Sequence, residues 1–183
     1  MKTITLIVMA IAMTSVVSMA AAPTHDYVGV KVCAMCHRTP KNGEQFQKWQ
    51  ASKHSEAFKV LLTPEAAKIA EAKGIKGKPS EAKECLECHV TAYDAPAAML
   101  GAKFDMTDGV QCETCHGAGK DYMKMNIMKD QKLAVANGLV LLSVKDGSAE
   151  KKCETCHNKK SPTFKSFDFN KMWPQIAHPV PQQ

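Results

Sequence analysis

All eight cysteines of this 183-residue chain fall in four copies of one pentapeptide, Cys-x-x-Cys-His. The copies are Cys33-Ala34-Met35-Cys36-His37, Cys85-Leu86-Glu87-Cys88-His89, Cys112-Glu113-Thr114-Cys115-His116 and Cys153-Glu154-Thr155-Cys156-His157. The pentapeptide is the attachment signature of c-type haem. Its spacing has a chemical reason. Two thiols three residues apart lie on one helical turn and add across the two vinyl groups of a haem, and the His that follows presents an imidazole nitrogen to the iron. Four copies with no cysteine left over imply four covalently attached haem c groups. Structural zinc takes four ligands per ion and gives no reason for a His after every second Cys. Disulfides within each pair would close only tiny loops and constrain the unfolded chain little. A redox-active Cys-x-x-Cys is not expected in four copies.

Four haems change what the interior is made of. Aromatic residues are only 6% of the chain. Residues 21–183 provide about 41 residues per haem, too few for a conventional core around each group. The macrocycles are therefore expected to be the core. The formal charge of +6 falls to +5 without Lys2. Eight propionates and four ferric charges then bring it to roughly +1 when oxidised and roughly −3 when reduced, so the basic composition is no sign of a nucleic-acid partner.

The N-terminus reads as an export signal. Lys2 precedes an apolar run from Ile4 to Val17, and small residues at Ser18 and Ala20 suit cleavage after Ala20. The expected domain plan is a cleaved segment 1–20 and one tetrahaem domain 21–183, delivered to the periplasm or the cell exterior. No later stretch is long and apolar enough to cross a bilayer. Within the domain the pattern predicts a mainly α fold, a haem-dominated core and little or no β-sheet. Expected helices cover Glu44–Leu62, a segment capped by Thr63-Pro64 and closed by Gly74, and Lys120–Asn137, with Ser80 and Ser148 as caps of the helices carrying the second and fourth motifs. Pro40–Gly43 reads as a turn and Ala92–Asp108 as irregular.

The histidine count bears on ligation. Four of seven are the proximal ligands His37, His89, His116 and His157, and three remain: His25, His54 and His178. Four irons and three spare imidazoles cannot all be His/His within one chain. One iron is five-coordinate, takes Met, or borrows a ligand from another copy. His54 and His178, each in apolar surroundings, are the expected sixth ligands; His25 is a further candidate, and Met125 and Met128 supply thioethers.

The chain resembles the tetrahaem cytochrome c-554 family. The resemblance rests on Gly29-x-x-x-Cys33-x-x-Cys36-His37, the Trp49 segment ending in Ser52-Lys53-His54, the stretch Gly109-Val110-Gln111-Cys112-Glu113-x-Cys115-His116-Gly117-x-Gly119, and Phe167-x-Phe169 leading to Ile176-Ala177-His178. It implies a helical fold with stacked haem pairs, His54 distal to the third haem (His116), His178 distal to the fourth (His157) and a five-coordinate second haem (His89). The family carries a His shortly after the third motif as distal ligand to the first haem. Here that position falls near Met125-Asn126, and His25 is the natural substitute. The implied function is electron transfer between redox partner proteins. The alternatives are a subunit of a polymerised extracellular filament, through self-association, and a small enzyme acting on nitrogen oxides at an open iron.

Overall fold

The computed structural model describes residues 25–178. The expected export segment 1–20 lies outside the described residues. Nine short α-helices are described: α1 (Val30–His37), α2 (Gln45–Gln50), α3 (Pro64–Ala72), α4 (Lys83–His89), α5 (Cys112–His116), α6 (Met125–Met128), α7 (Gln131–Ala136), α8 (Ser148–Glu154) and α9 (Phe169–Ile176). Turns and 3-10 segments join them. Among the described residues there is no strand, only an isolated bridge between Tyr27 and Leu100. The mainly α expectation holds. No described helix is long and apolar enough to span a membrane.

The local chemistry explains where helices start. Thr63 accepts a hydrogen bond from the Ala66 N–H at 3.2 Å, and Pro64 opens α3 where a missing N–H costs nothing. Thr63→Ala is expected to destabilise the haem-loaded protein by about 1 kcal/mol, read as a lower midpoint in chemical denaturation; an unchanged midpoint would contradict the cap. Pro40–Asn42 forms the expected turn, closed by Gly43.

Two long helices expected from periodicity are broken. The first stops at Gln50 and resumes only as a 3-10 turn at Lys59–Leu62. Ser52 and Ser55 end it, because their hydroxyls donate to the carbonyls of Trp49 and Gln50, in competition with the helical ladder. The second breaks before Gln131, where Asp130 accepts from the Leu133 N–H at 3.0 Å and starts α7 afresh. Ser80 and Ser148 are not the caps. Ser80 sits inside a 3-10 turn ahead of α4. Ser148 is the first residue of α8, and its Oγ accepts from the Ser143 N–H instead.

The protein interior is thin. Twelve apolar residues are buried among the described residues, and five of them are alanine. The largest fully buried side chains are Gln111, Glu113, Val30 and Thr91, three of them polar. A chain of this length normally buries a cluster of Leu, Ile and Phe. Here the space those side chains would fill is a cavity.

Candidate haem-binding site

That cavity has a volume of about 1920 Å³, well beyond the roughly 300–1,000 Å³ of an ordinary small-molecule pocket. All eight cysteines line it, as do His37, His54, His89, His116, His157 and His178. The rest of its wall is mostly aliphatic, with Val32, Leu61, Ile69, Leu139, Leu142 and Ile176 among the contributors. Local structure delivers the motifs to it. The first, second and third pentapeptides lie wholly within α1, α4 and α5, which puts both thiols and the His on successive faces of one turn. The fourth begins in α8 and ends in the turn after it.

The neighbours of each motif in space are not only its neighbours in the chain. Helix α1 packs on α5, which sets the first motif beside the third. Cys115 lies in the field of Cys153 and Cys156, which sets the third beside the fourth. Burial, and then the neighbouring Cys156, raises the pKa of Cys88, which sets the fourth beside the second. Thr91, just past the second motif, also bonds Thr114 of the third at 2.7 Å.

The spare histidines pair with two proximal ones. The ring centroids of His54 and His157 are 6.1 Å apart, and those of His116 and His178 are 5.8 Å apart. Two metal–nitrogen bonds of about 2 Å plus two ring radii of about 1 Å come to roughly 6 Å, so both gaps match an iron held between imidazoles. This pairing is the reverse of the one implied by the resemblance, which set His54 opposite His116 and His178 opposite His157. The backbone gives the reason. The turn bearing His54 is pinned to the start of the third motif through its own carbonyl, which accepts from the Val110 N–H at 3.0 Å. Gly109, at φ 76°, has no room for a Cβ, which would lie 2.7 Å from that same carbonyl. His54 thus points past the third motif to the fourth, and α9 carries His178 to the third.

Hydrogen bonds orient most of these rings. The Nδ1 of His89 lies 2.7 Å from the Ala57 carbonyl, that of His116 3.0 Å from the Val140 carbonyl, and that of His178 2.6 Å from the Ile176 carbonyl. His37 Nδ1 faces the Gln45 side-chain oxygen at 3.2 Å. An Nδ1–H committed to an oxygen leaves Nε2 as the free ligand atom. Burial, and then the neighbouring His157, lowers the pKa of His54; burial also lowers those of His116 and His157. All three are therefore neutral imidazoles near pH 7, the form that binds iron.

His25 does not line the cavity. Its Nδ1 is 2.7 Å from Asp121 Oδ2, and its Cδ2–Nε2 edge packs against Gly138 so closely that a Cβ there would sit 2.6 Å from Cδ2. Met123, Met125 and Met128 do line the cavity.

Two residues matter more than sequence reading suggested. Glu113, 2% exposed, accepts from the N–H groups of Val28 (2.8 Å), Gly29 (2.8 Å) and Gly119 (2.7 Å). Gln111 accepts from the Val30 N–H at 2.7 Å. Together they satisfy donors at the start of α1 from the third motif, and so fix the first motif against it. Both were visible as part of a motif, but their partners lie more than 80 residues away in sequence.

The residues present fit covalently held haem c. The thiols are all free, and burial pushes Cys115 up to about 11 and raises Cys85 and Cys153. Cys112 goes the other way, lowered by the neighbouring Cys33 thiol. Among the described residues no three of His, Cys, Asp and Glu converge to hold a bare metal ion, which the zinc alternative needs.

Comparison with known proteins agrees. The model of the family described as cytochrome c554 and c-prime matches residues 32–117. Cytochrome c-554 of Nitrosomonas europaea is 31% identical over 101 residues, covering 52% of this chain and 40% of the relative. The aligned stretch thus spans well under half of that relative's length. No solved structure matches the chain.

Proposed function

We propose that the chain is a member of the cytochrome c-554 family, a reading its match over residues 32–117 supports, and that it is an exported tetrahaem carrier that passes electrons between redox partner proteins. The observation that carries this reading is the single cavity walled by all eight thiols and six imidazoles. Each haem, when bound, supplies a one-electron ferric–ferrous couple. The chain supplies attachment, ligation and order. Cys33 and Cys36, Cys85 and Cys88, Cys112 and Cys115, and Cys153 and Cys156 hold the four groups by thioether bonds, with His37, His89, His116 and His157 as proximal ligands. His178 completes the third centre and His54 the fourth. With haem bound, transfer would run between neighbouring motifs, since it favours adjacent centres and the first and third, third and fourth, and fourth and second motifs lie beside one another. The removal of segment 1–20 and delivery to the periplasm or cell exterior belong to the same proposal, since haem c attachment follows export.

The first and second centres differ from the other two. Neither His37 nor His89 faces a second imidazole ring among the described residues. Met123, Met125 and Met128 stand on the wall as thioether donors. The count favours a second reading as well, a small-ligand enzyme at an open iron. Two measurements decide. Intact mass with an alkaline pyridine spectrum is expected to give four haems per chain, and low-temperature spin resonance two His/His low-spin signals. Fewer haems, or four equivalent His/His signals, would refute the assignment. Steady turnover of nitrite or hydroxylamine by the purified protein would move the reading to an enzyme.

A further inference from the structure

Three of the four proximal imidazoles are held by a hydrogen bond from Nδ1–H to an oxygen, that of Gln45, Ala57 and Val140 respectively. His157 has no such partner among the described residues. Without a partner at Nδ1, only its own side-chain torsions and its packing set the orientation of the ring.

The ring of Phe167 lies face to face with that of His157, centroids 4.8 Å apart and planes within 14°. No other proximal His has an aromatic side chain stacked on it among the described residues. Phe167 is itself well anchored. The next residue, Asp168, caps α9 by accepting from the Lys171 N–H at 3.2 Å. The residue after that, Phe169, is buried and packs on Trp173 with centroids 5.5 Å apart. Both anchors belong to α9 and its N-cap, and α9 leads two residues on to His178, so one element serves both sites. On the outer side of His157 a cleft of about 360 Å³ is bounded by Glu154, Asn158, Lys159, Phe164 and Phe167. It is large enough to admit water.

We propose that Phe167 is the positioning residue of His157: its ring face takes the place of the missing hydrogen bond, fixing the imidazole's rotation and narrowing the access of water to it from the cleft that both residues line. The inference rests on the ligation reading above and adds a role for a residue that reading does not use. Two consequences follow. Ring rotation governs the anisotropy of a low-spin ferric signal, so loss of the stack changes that signal. Water that gains Nδ1–H as a donor makes the imidazole a stronger base, which stabilises ferric iron and lowers the midpoint.

The test is a potentiometric titration of the haem-loaded full chain followed by spin resonance, with His54→Ala used to mark which low-spin signal belongs to the fourth centre. In Phe167→Leu and Phe167→Met that signal alone is expected to shift its g values. Its midpoint is expected to fall enough to change the oxidised-to-reduced ratio at the wild-type midpoint by about threefold or more. The His178-dependent signal and the haem-to-protein ratio stay as in wild type. Phe167→Tyr, which keeps the ring, is expected to match wild type. The positioning role is overturned if Leu and Met leave the fourth-centre signal and midpoint unmoved, or if Tyr moves them as far. If His54→Ala removes no low-spin signal, the ligation reading itself falls and takes this role with it.

Discussion

Produced without haem attachment, the chain is expected to remain largely unfolded. Replacing both cysteines of all four motifs by alanine, or expressing the chain without haem ligation, should leave far-ultraviolet circular dichroism close to that of a coil and no cooperative thermal transition. The reason lies in what the interior contains. Five of its twelve buried apolar residues are alanine, and its largest fully buried side chains are mainly polar. Each haem, by contrast, buries several hundred Å² of apolar surface, worth about 10 kcal/mol at most at roughly 25 cal/mol per Å². Nine helices of four to nine residues cannot persist alone, because helices shorter than about 12 residues are marginal without tertiary packing. A native-like spectrum from the haemless chain would refute the view that the macrocycles are the core.

Loss of one carboxylate should cost nearly as much as loss of a core residue. Glu113→Ala removes the acceptor for three buried N–H groups, those of Val28, Gly29 and Gly119. Leaving a buried donor unpaired costs about 1–3 kcal/mol each, so the expected loss for three is about 3–9 kcal/mol. That is a large share of the roughly 5–15 kcal/mol that stabilises an ordinary domain. The denaturation midpoint of the haem-loaded protein should drop steeply, and the first centre should be disturbed first, since α1 is the helix left uncapped. Glu113→Gln keeps the shape and one oxygen. It opposes an amide N–H₂ to at least one backbone donor, and should fall between wild type and Ala. An Ala variant with the wild-type midpoint would show that the three donors find other partners.

Different residues account for what was legible. The pentapeptides announce themselves because thioether chemistry and axial ligation are local: two thiols and one imidazole within five residues do the whole task. Thr63-Pro64 was legible for the same reason, since a cap acts within one turn. His54 and His178 stood out as spare ligands, and both line the cavity. Which iron each serves was not readable. That depends on the Val110 bond to the His54 carbonyl and on where α9 ends, both set by contacts between distant segments. The helix breaks at Ser52–Ser55 and Asp130 went against a periodicity that was real but weaker than the local hydroxyl and carboxylate bonds. The setting of His25 is likewise a matter of distant contacts: its Nδ1 meets Asp121 and its ring packs against Gly138.

By itself, then, the amino-acid string pointed to the haem chemistry and to the absence of a conventional core, because each follows from residue types at fixed short spacing or from simple counts. Only the tertiary structure showed which motifs neighbour one another, the approach of His54 to His157 and of His178 to His116, the Glu113 clamp and the Phe167 stack. Each joins groups from ten to more than eighty residues apart, and such contacts are selected by how the whole chain closes around the cavity, which no local pattern encodes.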